Sequence, residues 1–146
     1  MPQVVVNAEK IISAPAEQVS RALADYETVR PRILPEQFSE YRVESGGHGP
    51  GTVVHWRFAA TSKSVRDQLL DVTEPAMGTL VETDRNSSMV TTWTVTPADA
   101  GVSTVRVRTT WKGAGGIGGF FERTFAPKGL RAVYEQVLER LDAELA

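Results

Sequence analysis

Few side chains in this sequence can act as nucleophile, base or metal ligand, so the chemistry open to it is narrow. It has two histidines, His48 and His55, and no cysteine in 146 residues. That excludes thiolate nucleophiles, thiolate-held metals and disulfides, and points to a reducing, cytoplasmic setting. A metal site on the two histidines would need distant carboxylates at no recognisable spacing, so neither a metal nor a cofactor is expected. His55 is the residue type suited to general-base work, but it alternates with Trp56 on a strand and points, with Arg57, to the opposite face. His48 sits in Gly46-Gly47-His48-Gly49-Pro50-Gly51, a hairpin loop whose glycines supply positive φ, and reads as a solvated residue. Asp67, Glu82 and Asp84 are at no spacing that pairs any two of them. Patterns such as G-x-S-x-G, H-E-x-x-H or a P-loop are absent, and no catalytic residue is assigned.

Two further patterns bear on binding. Gly113-Ala114-Gly115-Gly116-Ile117-Gly118 matches G-x-G-x-x-G behind a predicted strand, as a dinucleotide-binding turn would. Everything after Gly118 is helical in pattern, so no second strand completes a βαβ unit or carries a ribose-binding carboxylate, and the match is read as a glycine-rich loop. Strand 65–72 has two phasings. One turns Arg66, Gln68, Leu70 and Val72 inward; the other turns Val65, Asp67, Leu69 and Asp71 inward. The first is favoured, because an arginine can bury its stem and offer donors to a ligand oxygen, while two dehydrated aspartates are costly.

The elements that would position these residues can be read from periodicity. Residues 3–12 read as a strand, and Pro15 as the start of a short helix carrying Val19, Ala22, Leu23 and Tyr26 on one stripe. Pro31 and Pro35 leave residues 27–39 as a short, broken helical segment. From Glu40 to Trp111 the period is two. Val54, Trp56 and Phe58 oppose His55 and Arg57; Met89, Trp93 and Val95 oppose Thr92, Thr94 and Thr96; Val105, Val107 and Trp111 oppose Thr104, Arg106, Arg108 and Thr110. One face of an antiparallel sheet is therefore wet, and the other carries all three tryptophans. Leu130, Val133, Tyr134, Val137, Leu138, Leu141 and Leu145 then form one stripe of a long C-terminal helix, which belongs in the concave face of the curled meander.

Apolar residues at 41%, charged residues at 23% and a net charge of −2 describe a folded chain with no long-range pull on a polyanion. Nucleic acid is not expected as a partner, and no stretch is apolar for long enough to span a membrane. Asn86-Ser87-Ser88 reads as a polar hairpin turn.

The element order, the Ala14-Pro15-Ala16-Glu17 turn, the Gly51-Thr52-Val53-Val54 strand start and Phe125-Ala126-Pro127-Lys128-Gly129-Leu130-Arg131 before the last helix resemble the helix-grip proteins. These form the START-like (SRPBCC) superfamily, here in its small bacterial, actinobacterial-type polyketide cyclase/dehydrase and lipid-transport branch. The resemblance spans essentially the whole chain. It implies an α+β helix-grip fold: a curved antiparallel sheet of about seven strands wrapped around a long C-terminal helix, with two short helices after strand 1, as a single domain over 1–146. It also implies a cavity between sheet and helix for a small hydrophobic or aromatic molecule, with the 113–119 loop at its mouth as a lid.

The leading expectation is a binding protein for a lipid- or polyketide-like molecule, as a monomer or homodimer. The candidate ligand-binding residues are Trp56, Phe58, Arg66, Gln68, Met89, Trp93, Trp111, Phe121 and Tyr134. The alternative is a cyclase, aromatase or dehydratase using Tyr134, Arg66 or His55; a second alternative is a filled core acting through a protein partner.

Overall fold

A computed structural model describes residues 3–61, 64–112 and 126–146. Strand β1 (Gln3–Ile12) alternates buried Val4, Val6 and Ala8 with exposed neighbours, as a half-buried strand must. Pro15 follows in extended conformation, immediately before α1 (Ala16–Leu23) rather than as its first residue, and the helix buries Val19, Ala22 and Leu23. Helix α2 (Val29–Ile33) tolerates Pro31 because its first turn needs no N–H there. It stops at Leu34, which the following Pro35 holds extended at φ −83°, ψ 125°.

The rest is a meander: β2 (Phe38–Ser45), β3 (Val53–Thr61), β4 (Ser64–Ala76), β5 (Thr79–Asp84), β6 (Val90–Asp99) and β7 (Val102–Lys112), then α3 (Ala126–Leu145). All seven strands form one antiparallel sheet in the order β1-β7-β6-β5-β4-β3-β2, so β1 and β2 are its edges. Register shifts in β2 around Ser39–Arg42, where Glu40 takes φ 51°, add local bend and twist. Helix α3 lies across the concave face against β1, β3 and α2 and buries Leu130, Val133, Tyr134, Val137, Leu138 and Leu141. This is the helix-grip α+β architecture. Pro127 falls in the first turn of the described helix α3.

Strand β4 buries Gln68, Leu70 and Val72 while Asp67 is exposed, which is the phasing that places Arg66 on the inner side. The 85–88 segment is the β5–β6 turn, with Asp84 accepting from the Asn86 N–H and the Ser87 hydroxyl at 3.1 and 2.7 Å. The glycine loop and lid expected at 113–119 lie outside the described residues. Among the described residues, no helix is long and apolar enough to cross a membrane.

Candidate ligand cavity

A cavity opens where α2, α3 and the inner faces of β2 to β6 converge. Phe38, Trp56, Phe58, Leu70, Met89 and Trp93 supply its sheet side, Leu130, Tyr134 and Val137 its helix side, and Arg30, Gln68, Glu82 and Thr91 its polar groups. The rings set its shape: Phe38 meets Trp56 edge-on at 5.5 Å, and Trp93 meets Tyr134 edge-on at 6.0 Å. The centre of a water molecule has about 20 Å³ in which to move. That is room for a water or so, far below the ~300 to 1,000 Å³ of small-molecule pockets.

The polar floor is a buried charge cluster. Glu82 on β5 accepts from the Tyr26 hydroxyl at 2.5 Å and from Arg30 Nη2 at 2.9 Å through Oε2, and from Trp93 Nε1 at 2.8 Å through Oε1. Arg30 Nε donates to the Leu23 carbonyl at 2.8 Å, which also caps the end of α1. The guanidinium is held against the Tyr26 and Trp93 rings, 4.6 and 4.8 Å from their centroids. Burial works against the arginine's charge, but Glu82, Tyr26 and Tyr41 together raise its pKa; the Tyr26 phenol is pushed well up by burial. The ion pair is thus desolvated and hydrogen-bonded through Arg30 Nε and Nη2 and through both Glu82 oxygens, which favours its persistence.

Two smaller networks adjoin it. The hydroxyls of Thr91, Thr109 and Tyr134 bond one another, Thr91 to Thr109 at 2.8 Å and Tyr134 most closely to Thr109. Burial raises the Tyr134 phenol to about 12, so near neutral pH it is a hydrogen-bonding group and not a base. On the other wall Trp56 Nε1 donates to Gln68 Oε1 at 2.7 Å, and Gln68 Nε2 donates to the Met89 sulfur at 3.0 Å.

Of the residues singled out from sequence, Trp56, Phe58, Gln68, Met89, Trp93 and Tyr134 line this cavity. Trp111 does not: it faces inward, but at the end of β7 opposite Val4, and its indole N–H has no partner among the described residues. Arg66 sits opposite Phe58, half-buried and with an interaction of its own, and is not among the lining residues either. Phe121 lies outside the described residues. His55 points away, as alternation requires, with its ring nitrogens on the Glu40 carbonyl and Asp67 at 3.0 and 2.7 Å. His48 is exposed, 3.4 Å from Asp25.

Sequence reasoning missed Arg30, Tyr26 and the role of Glu82, which come together only through the fold. It missed Thr91 and Thr109 for a different reason. Both share inward parity with Trp93 and Trp111, and that parity was available.

The family model described as polyketide cyclase / dehydrase and lipid transport matches residues 3–146. Among solved structures, the KanY protein is 48% identical over 99% of both chains, with a TM-score of 0.90. A START superfamily protein from Mycobacterium smegmatis superposes with a TM-score of 0.73 at 12% identity, over 97% of this chain and 96% of that one. The Zhui aromatase/cyclase from Streptomyces sp. R1128 superposes at 0.70 with 17% identity, over 99% and 94%. No curated protein matches the chain in sequence.

Proposed function

The chain belongs to the polyketide cyclase / dehydrase and lipid transport family, and on that premise we propose that it binds one small hydrophobic or aromatic molecule between the sheet and α3. The observation that carries this reading is a ring-walled cavity whose floor holds a desolvated Arg30–Glu82 pair beneath a mainly apolar lining that also includes Gln68 and Thr91. Trp56, Phe58, Met89, Trp93 and Tyr134 supply the wall. Uptake then requires side chains to move aside, since the space present admits little more than water. Phe38 is the natural one to yield, being half-buried on an edge strand that is already irregular.

A cyclase or dehydratase would also need a proton acceptor beside the ligand. Glu82 is the carboxylate on the cavity wall, and three donors already engage it, which favours binding over turnover. The narrowness of the space favours a filled core as the second reading.

Native mass spectrometry of freshly purified protein, under gentle and then denaturing conditions, separates the two. A discrete, releasable small molecule supports the cavity reading, and Trp93→Ala, if folded, then loses it. A bare chain whose tryptophan fluorescence responds to no lipid or aromatic polyketide overturns it in favour of the filled core.

A further inference from the structure

We propose that the free edge of β1 pairs with β1 of a second copy of this chain, antiparallel about a twofold axis through Ala8, so that two seven-stranded sheets join edge to edge. The inference is independent of what the cavity holds.

It comes from comparing the two edges of the sheet. An open edge is a template for another strand, and proteins guard it with bulges, charges, proline or a covering segment. Strand β2 is guarded: its pairing is broken by two register shifts, Glu40 takes φ 51°, and Glu40, Arg42 and Glu44 are exposed along it. Strand β1 is not. Its ten residues run in unbroken register against β7 and include no proline, and its one lysine, Lys10, is half-buried on the inner side. Among the described residues, no backbone group from Gln3 to Ile11 is bonded outside that ladder.

Side chains select the occupant. Four large hydrophobic side chains are exposed among the described residues, and Val65 near the start of β4 and Met77 in the β4–β5 turn stand singly. The other two, Val5 and Ile11, share the outer face of β1 at 40% and 62% exposure and flank Ala8 symmetrically. A twofold axis normal to the sheet at Ala8 therefore sets Val5 of each copy opposite Ile11 of the other, giving two apolar cross-strand pairs from one contact.

Neighbouring registers lose this match. An axis through Asn7 opposes Val5 to Glu9 and Ile11 to Gln3, and an axis through Glu9 brings two carboxylates face to face. An axis between residues would set outward side chains against inward ones. Charge permits the Ala8 register. Glu9 then meets Asn7 of the other copy, its carboxylate already held by Arg106 at 3.1 and 3.0 Å, and a net charge of −2 per chain gives little repulsion between copies. A single strand pair is a small contact, below the ~1,200 Å² of stable interfaces, so the dimer is a weak one.

Sedimentation equilibrium of the whole chain from about 10 µM to about 1 mM tests this. The average mass is expected to rise from the 15.9 kDa of one chain toward twice that, with hydrogen-exchange protection growing in β1 over the same range. Val5→Lys and Ile11→Glu, both at exposed outer-face positions, should each stay monomeric with an unchanged circular dichroism spectrum. Mixed in equal amounts, the two variants should associate again, because one contact then joins the introduced lysine to the introduced glutamate and the other keeps Val5 on Ile11. A wild-type chain that is monomeric at about 1 mM overturns the inference and leaves the edge to a strand of another protein. A dimer that either variant leaves intact, or that mixing does not restore, overturns it in favour of another surface or register.

Discussion

Arg30 Nη2 lies 2.9 Å from Glu82 Oε2, with both side chains all but sealed from water, at 1% and 2% exposure. The pair joins a five-residue helix to a central strand at the base of the ligand cavity. A pair this deep is costly to assemble and costlier to break, because the survivor keeps its charge with no partner and no water.

Glu82→Gln or Arg30→Met alone should therefore destabilise the fold by about 3 to 5 kcal/mol. The double variant Arg30→Met/Glu82→Gln should be less unstable than the sum of its singles, since a glutamine oxygen can still accept from Trp93 or Tyr26. Urea unfolding of the four proteins in a double-mutant cycle measures this. Additive singles, within about 0.5 kcal/mol, would show that the two side chains are not coupled.

Gly46 and Gly101 both adopt left-handed backbone at φ 72°, but their surroundings differ. A Cβ at Gly46 would lie 2.8 Å from Thr52 Cα and 3.0 Å from the Gly51 carbonyl oxygen, both rigid backbone; at Gly101 it would meet nothing within 4 Å. Gly101→Ala should cost about 1 kcal/mol from conformation alone. Gly46→Ala should cost more than about 2 kcal/mol, because strain and overlap combine in a loop that cannot move apart. Thermal unfolding of the two variants checks the ordering, and equal costs would refute the overlap argument.

How legible all this was in the sequence depends on the range of the interaction. Val54, Trp56 and Phe58 could be assigned to one face, and Tyr134 and Val137 to one helical stripe, because burial there repeats at the period of the local backbone. The element order then placed helix against sheet. Glu82 shows where that reasoning stops. Leu80, Glu82 and Asp84 face inward while Val81 and Thr83 do not reach the core, so hydrophobicity alone gives β5 a mixed signal. What turns the carboxylate inward is Arg30, held by a helix so short and proline-broken that it has no periodicity to read. Trp111 shows the converse limit. Parity fixes which face a side chain is on, but not how far along the strand the cavity extends.

Tyr134 is raised by burial from the ordinary 10.0 to about 12. A folded pKa above the unfolded one favours the protonated fold, so this contribution is complete below about 10 and is lost as pH climbs through about 12. Tyr134→Phe removes that titration together with the bonds to Thr109 and Thr91. Near pH 8 the variant should be less stable by about 1 kcal/mol. The gap should narrow as pH rises toward 11, followed by urea unfolding across the range. A gap independent of pH would mean that the hydroxyl is not desolvated as described.

The acid side falls to Asp25. Burial alone would raise its carboxyl, but the Thr28 hydroxyl, the Thr28 and Glu27 amides and His48 together hold it below the ordinary 3.8. A depressed pKa stabilises the fold fully above the ordinary value and ceases to do so as pH falls through the folded one. Asp25→Ala should therefore cost about 1 kcal/mol at neutral pH, as loss of a cap does, with the gap narrowing below pH 3.8. Asp71 provides the control. Its carboxyl is also held down, through two bonds from Arg85 at 2.8 and 2.7 Å, but the pair lies on the surface. Asp71→Asn should cost less than about 1 kcal/mol, and about 1 M salt should abolish that cost while leaving most of the Asp25 effect, because screening reaches an exposed ion pair but not backbone hydrogen bonds to a half-buried carboxylate. Equal salt sensitivity at the two positions would show that Asp25 acts through its charge on His48 and not as the cap of the turn into α2.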